Sequence, residues 1–222
     1  RMPDYAVLDA ALTRAGVPFT KEESMAAHTS FKIGGPADRF LRIADAAALS
    51  AALRALREAA VPYFVLGHGS HLLVPDEGLR GAVLALEGSF KAVELTGSGR
   101  LLCGSGASLA SICAFARSNA LTGLEFAWGI PGSLGGALYM NAGAYGGEMK
   151  QVVSRVWFLE PDGTPASLAG EALCFGYRTS AFTNTKRVIT KAELQLESGA
   201  EAEIAAKMDD LMQRRKSKQP VE

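Results

Sequence analysis

Apolar residues recur along the chain with two different periods, and the switches between them mark out the elements. Leu8, Ala11, Leu12 and Ala15 fall at i, i+3, i+4 and i+7, which predicts a helix capped by Asp4 and closed by Gly16. The Gly34-Gly35-Pro36 turn then separates a short polar segment from an alternating strand over 39–43. Asp45 caps an alanine-rich helix whose Leu49, Ala52, Leu53, Leu56 and Ala60 share one face; Pro62 ends it, and 63–66 reads as a buried strand. That strand runs into Gly67-His68-Gly69-Ser70-His71, a βαβ-type arrangement that places the loop at a carboxyl end of the sheet, where ligands collect. Residues 72–75 are expected to run on extended, 76–78 to turn and 81–86 to form another strand.

From about residue 87 the texture changes. Residues 100–103 read as a strand, and Ser108 caps a helix with Leu109, Ile112, Cys113 and Ala116 inward. Residues 152–159 read as a strand, Asp162-Gly163 as a hairpin turn, and 187–196 as a long strand alternating through Val188, Thr190, Ala192, Leu194 and Leu196. A final helix over 201–216 turns Ile204, Met208 and Leu211 inward and carries Arg214-Arg215-Lys216 on its last turn. Length favours two domains over one, with a change near residue 87; the chain contains no internal repeat and no low-complexity linker.

One stretch stands apart. Residues 128–148, WGIPGSLGGALYMNAGAYGGE, hold seven glycines, and 126–147 carry no charged side chain. Pro131, Ser133, Asn141 and the glycines interrupt it before it reaches the roughly 20 apolar residues that a membrane span requires. Glycine lets backbone lie directly against a ligand, and successive exposed N–H groups form concavities suited to an anion such as a diphosphate. One or two glycines would read as structural turns; seven, around a Pro-Gly turn and an isolated Asn141, read as a ligand cradle. The Gly67–Gly69 pair adds a weaker signal, because the third glycine of the G-x-G-x-x-G fingerprint and the helix after it are missing, which disfavours an ordinary nicotinamide Rossmann domain.

Composition narrows the classes. The 222 residues are 48% hydrophobic and 21% charged, with 23 basic and 23 acidic side chains, so no global field steers the chain to nucleic acid or anionic lipid. Three cysteines with no C-x-x-C pair argue against a disulfide framework or zinc site, and Cys103 and Cys113 sit in apolar patterns as small buried hydrophobes. The beginning shows neither a secretory nor a transit pattern, and a cytoplasmic location without membrane or nucleic-acid partners is expected; no metal site is expected.

HTSFKIGGPAD (28–38), GHGS (67–70), GIPGSLGGALYMNAGAYGGEM (129–149) and CFGYRTSAF (174–182), in that order, resemble the UDP-N-acetylenolpyruvoylglucosamine reductase (MurB) family of peptidoglycan synthesis. The resemblance covers the chain from about residue 25 to its end. It implies an α+β, two-domain FAD-binding fold of the vanillyl-alcohol-oxidase (PCMH) type, divided at 1–86 and 87–198, with 199–222 beginning a third domain that closes over substrate. It also implies NADPH as hydride donor and UDP-N-acetylglucosamine enolpyruvate as the small-molecule substrate, reduced to UDP-N-acetylmuramate; it leaves the oligomeric state open. Gly67, His68, Gly69, Ser70, His71 and Leu72, with Ile130, Pro131, Gly132, Ser133, Gly135 and Gly136, would hold the FAD diphosphate by backbone N–H groups. Asn141, Ala142 and Gly143 would line the flavin, and Ile189 would make an apolar contact to it. Arg178 matches the family's catalytic arginine: a planar guanidinium can grip the substrate carboxylate and stabilise charge that grows during hydride addition. Tyr177 would touch substrate or nicotinamide. Without the resemblance, Arg178 reads as a surface ion-pair partner, and His28 and His71 read as structural.

His71 stands where the family has Asn, so one cofactor hydrogen bond is expected to differ. The family's sequence also continues into a Pro-Ser-Ala-Gly-Ser motif with a proton-donating serine and a later glutamate, neither of which occurs here. The chain is therefore expected to be the FAD-binding part with the start of the closing domain at 199–222, to bind FAD, and to be impaired in the second half-reaction. Its Ile204/Met208/Leu211 face is expected to lack packing partners and to lie exposed or against a neighbouring molecule. A flavin-binding module without turnover, or an oxidase on the same flavin fold, are the competing classes; CFGYR and the lack of an evident His or Cys for covalent flavin attachment disfavour the oxidase.

Overall fold

A computed structural model of the protein describes residues 1–28, 35–68 and 79–218. Two compact units emerge. The first comprises Arg1–Phe90 with Phe158–Ala166 and Lys186–Val188; the second comprises Lys91–Trp157, Ser167–Thr185 and Ile189–Glu222.

The first unit begins with helix α1 (Tyr5–Ala15), whose N-terminus is closed by the Asp4 carboxylate accepting the Val7 N–H at 3.1 Å and whose end is Gly16 at φ +70. Strands β1 (Phe19–Ser24) and β2 (Pro36–Ile43), helix α2 (Ala46–Glu58), β3 (Tyr63–Val65) and β4 (Leu79–Leu86) follow. The sheet order is β1-β2-β4-β3, with β2 and β3 both parallel to β4 and β1 antiparallel at the edge. The buried parallel strands carry apolar residues toward both faces. Ala82, Leu84 and Leu86 of β4 join the main core under α1 and α2, while Val83 and Ala85 join a second cluster around Met25 and Phe40. Arg39 ties α1 to the sheet through two bonds to the Asp9 carboxylate, 2.7 and 2.9 Å.

The second unit contains β5 (Val93–Gly97), β6 (Arg100–Gly104), helix α3 (Leu109–Ser118), β7 (Leu121–Thr122), helix α4 (Leu134–Met140), β8 (Gly143–Ala144), β9 (Gly147–Glu148), β13 (Glu197–Ser198), helix α5 (Glu201–Lys218) and the larger part of β10 (Val153–Leu159), β11 (Pro165–Ala169) and β12 (Val188–Gln195). Its main sheet has the order β11-β10-β12-β6-β5.

Several expectations need correction. The strand expected over 39–43 starts at Pro36, and the one expected over 81–86 starts at Leu79. Helix α2 stops at Glu58, so Ala60 lies beyond it in a left-handed conformation (φ +54) rather than on its apolar face. Strand β1 is a largely exposed edge strand with a polar sequence and no hydrophobic alternation to read, whereas the edge strand β5 alternates Val93 and Leu95 without burying them fully. The glycine-rich stretch contains a helix, α4, because Ser133 caps it and Leu134, Ala137 and Leu138 are buried beneath it. The face of α5 is not exposed: Ile204, Met208 and Leu211 are 4%, 2% and 6% accessible, packed on α3 and on the short 3-10 helix Glu125–Ala127.

Candidate functional site

The glycine stretch folds as a sequence of tight turns around α4. Gly129 (φ +91) and Gly132 (φ +115) lead into Ser133, and Asn141 ends the helix in the left-handed conformation, φ 51 and ψ 58. Tyr145 (φ 51) and Gly146 (φ 81) turn β8 back onto β9. The glycines serve different ends. A Cβ on Gly147 would sit 2.6 Å from Phe126, and one on Gly129 would sit 2.8 Å from the Arg215 side chain, so these two are close-packing positions. A Cβ on Gly132 would meet nothing within 4 Å, which leaves the backbone there open to a ligand.

The N–H groups of the Ile130–Gly136 segment divide similarly. Those of Ile130, Leu134 and Gly135 donate to the carbonyls of Ala127, Ala107 and Ser105, and that of Gly136 reaches the Ser133 hydroxyl at 3.5 Å. Gly132 and Ser133 keep N–H groups with no partner among the described residues. Below them the Ser105 hydroxyl is fully buried, with no hydrogen bond among the described residues, and no face open to a ligand. Open backbone at Gly132 and two unengaged donors fit an anionic group such as the diphosphate of FAD.

A second segment is pinned against the end of α4. The Ser180 and Thr183 hydroxyls both donate to the Tyr139 carbonyl, at 2.8 and 2.7 Å. The Asn141 amide donates to the Gly176 carbonyl at 2.9 Å. Gly176 and Thr179 close a tight turn whose tip is Tyr177 and Arg178, the latter at φ +53. Tyr177 is 92% exposed, and Arg178 is exposed with no ion pair or hydrogen bond among the described residues.

These segments enclose a cavity of about 770 Å³. Its walls are Ile130 and Pro131, the run 140–148, Gly176, Tyr177, Arg178 and Arg215. The lining holds two arginines, Arg178 and Arg215, and one carboxylate residue, Glu148, so its formal charge is positive in a protein of zero formal charge. Arg215 reaches in from α5, donating to the carbonyls of Trp128 (3.1 Å) and Phe126 (2.9 Å) while its guanidinium carbon lies 5.2 Å from the Tyr145 ring.

Of the residues singled out from sequence, Ile130, Pro131, Asn141, Ala142, Gly143, Tyr177 and Arg178 thus share one cavity. Gly132, Ser133, Gly135 and Gly136 form the turn and first residues of α4. Ile189 is fully buried in β12. Gly67 and His68 follow β3 at the carboxyl end of the first unit's parallel strands, and Gly69, Ser70, His71 and Leu72 lie outside the described residues. Arg215 and Tyr145 escaped the sequence reading. Arg215 carried no local signal, since basic residues are ordinary on a last helical turn.

Among the described residues there is no cluster of three or more potential metal ligands, and no helix is long and apolar enough to cross a membrane. The three cysteines are free; burial pushes the thiols of Cys103 and Cys113 up to about 12, while Cys174 is exposed.

Comparison with known proteins gives the family and the fold. The sequence model of the FAD-binding domain family matches residues 37–169. The UDP-N-acetylenolpyruvoylglucosamine reductases of Clostridioides difficile and Caldanaerobacter subterraneus are 42% and 44% identical over 200 residues, 90% of this chain. The crystal structure of MurB from Thermus caldophilus superposes with a TM-score of 0.77 at 33% identity, covering 92% of this chain and 71% of that one. The chain belongs to the MurB family. It spans 66% of the length of the curated MurB relatives named here. Chitooligosaccharide oxidase and berberine bridge enzyme share the fold at 20% and 16% identity, with TM-scores of 0.64 and 0.65. Together with the FAD-binding domain match and the MurB structure, they give this chain an FAD-binding fold of the vanillyl-alcohol-oxidase type. FAD is the cofactor of that family domain, and the MurB chain is a flavoprotein by the same token.

Proposed function

We propose that this chain provides the FAD-binding part of a cytoplasmic, NADPH-dependent oxidoreductase that reduces UDP-N-acetylglucosamine enolpyruvate to UDP-N-acetylmuramate in peptidoglycan synthesis. The observation that carries the reading is Arg178, a guanidinium without an ion pair among the described residues, held at a cavity whose wall is Asn141–Gly143. When bound, FAD supplies the hydride chemistry, accepting from NADPH and delivering to the enolpyruvyl double bond.

The chain's own groups bind and orient. Gly132 and Ser133 offer backbone N–H groups to the cofactor. Gly67 and His68 are proposed to contribute to FAD binding from the loop after β3. Arg178 pairs with the substrate carboxylate, and its charge stabilises the electron density that moves onto that carboxylate when the double bond accepts hydride. A lysine would offer a point charge in place of a two-pronged planar donor. Tyr177, beside it and exposed, is proposed to cover the substrate. Arg215 adds a second positive charge that favours a multiply anionic ligand such as a nucleotide sugar.

The visible spectrum of the FAD-reconstituted protein, recorded before and after anaerobic NADPH, tests the cofactor assignment. A flavin band that bleaches is expected; a protein that takes up no flavin overturns it. Arg178→Ala tests the substrate assignment in the complete enzyme. Loss of a preorganised charge-stabilising donor lowers kcat by about 10²–10³-fold, and an unchanged kcat/KM overturns the role given to Arg178.

A further inference from the structure

We infer that Asn141 is the positioning residue for Arg178, its side-chain amide clamping the Gly176–Thr179 turn to the end of α4 and so setting where the guanidinium stands. The inference rests on the role proposed above for Arg178. Asn141 is 6% exposed, and both of its polar side-chain atoms are used. Nδ2–H donates to the Gly176 carbonyl at 2.9 Å, and Oδ1 accepts the Lys150 N–H at 2.9 Å. The amide orientation follows from these partners: a backbone N–H demands the oxygen on one side and a carbonyl demands the NH₂ on the other. One side chain therefore joins three segments distant in sequence, namely the end of α4, the Met149–Gln151 turn and the turn that carries Arg178.

The turn needs such a clamp. Arg178 sits at φ +53, a conformation that non-glycine residues adopt only at a cost and keep only when their surroundings hold them. Within the turn the Gly176 N–H reaches the Thr179 carbonyl at 3.1 Å, but the return bond is long, 3.5 Å. Tyr177 points to solvent, and the other anchors, Ser180 and Thr183 on the Tyr139 carbonyl, lie downstream. Asparagine satisfies three demands at once at position 141: a donor, an acceptor, and tolerance of the left-handed conformation that ends α4. Aspartate retains the acceptor for Lys150 but sets a carboxylate oxygen against the Gly176 carbonyl. Glycine retains the backbone conformation and loses both bonds.

The test compares Asn141→Gly, Asn141→Asp, Arg178→Ala and the double variants. In amide hydrogen exchange, the Lys150 N–H is expected to lose protection in Asn141→Gly and to keep it in Asn141→Asp, whereas the Gly176 N–H loses protection in both. In the FAD-loaded complete enzyme, both Asn141 variants are expected to lower kcat per bound flavin by about 10–100-fold, the scale of a displacement near 1 Å in a reacting group. In the Arg178→Ala background, Asn141→Gly is expected to add nothing beyond about twofold, because residues acting as one unit are not additive. Multiplicative losses, or unchanged Gly176 protection in both variants, overturn the inference. An Arg178→Ala enzyme of full activity overturns the reading of the site itself, and the exchange pattern then decides separately whether Asn141 holds the turn.

Discussion

Arg215 is where the last helix and the glycine stretch become one structure, and replacing it measures that link. Its Nε and terminal nitrogen donate to the carbonyls of Trp128 and Phe126, at 3.1 and 2.9 Å, and its guanidinium lies over Tyr145. Each charge-assisted bond contributes about 1.5–3 kcal/mol when buried, and a partly exposed cation over an aromatic ring about 0.5–1 kcal/mol. Arg215 is half-buried, so both bonds belong at the lower end of the range. The Phe126 carbonyl, in a residue 6% exposed, loses a partner that water replaces poorly. Arg215→Ala should therefore destabilise the second unit by about 2–4 kcal/mol, on the order of 10 °C in the thermal midpoint for a protein of this size. Urea unfolding followed by tryptophan fluorescence is the assay, because Trp128 carries one of the two acceptors. Arg215→Lys, which keeps charge but cannot fork to two carbonyls, should recover less than half of the loss. A stability for Arg215→Ala within about 0.5 kcal/mol of the parent, the usual range for surface substitutions, would refute the reasoning.

Other consequences follow from single groups. Burial pushes the Glu125 carboxyl up, but hydrogen bonds from Thr122 (2.5 Å) and the Gly123 N–H (2.6 Å), with Lys207 nearby, outweigh burial and hold it below its ordinary value. A depressed folded-state pKa gives stability that is present above the unfolded value and lost as pH falls through the folded one. Glu125→Gln should thus lower stability at neutral pH and flatten the acid limb of the stability profile; an acid limb identical to the parent's would count against this. Iodoacetamide at pH 8 should modify Cys174 quickly and leave Cys103 and Cys113 intact in the native state, and fast modification of all three would contradict their burial. Ser105→Ala removes a buried hydroxyl that has no partner among the described residues, so thermal stability should be unchanged or raised. A loss of about 1 kcal/mol or more in thermal or urea unfolding would contradict this.

Much of this protein was legible in its sequence because the relevant physics is local. The caps at Asp4, Asp45 and Ser108 each accept a backbone N–H as the residue types imply, and Gly16 closes α1 in the left-handed conformation. The apolar faces of α2 and α5 and the alternation of β12 followed from period alone, because a helix or strand that packs on one side must repeat its apolar residues at its own pitch. The glycine stretch supplies the 140–148 run of the cavity wall, where small uncharged residues leave backbone against open space. What stayed hidden depended on partners far away in the chain. Edge strand β1 has no apolar pattern because most of its side chains face water. Gly129 and Gly147 look like cradle glycines but are small because Arg215 and Phe126 occupy the space where a Cβ would stand. Asn141 reads in sequence as a cavity-lining residue, and only the approach of Gly176, 35 residues on, turns its amide into a clamp. Arg215 is one cation among many until α5 packs and brings two carbonyls within its reach. Period and capping are properties of neighbouring residues and survive in the one-dimensional record. Hydrogen bonds and close contacts across long loops exist only after the chain has chosen which segments meet.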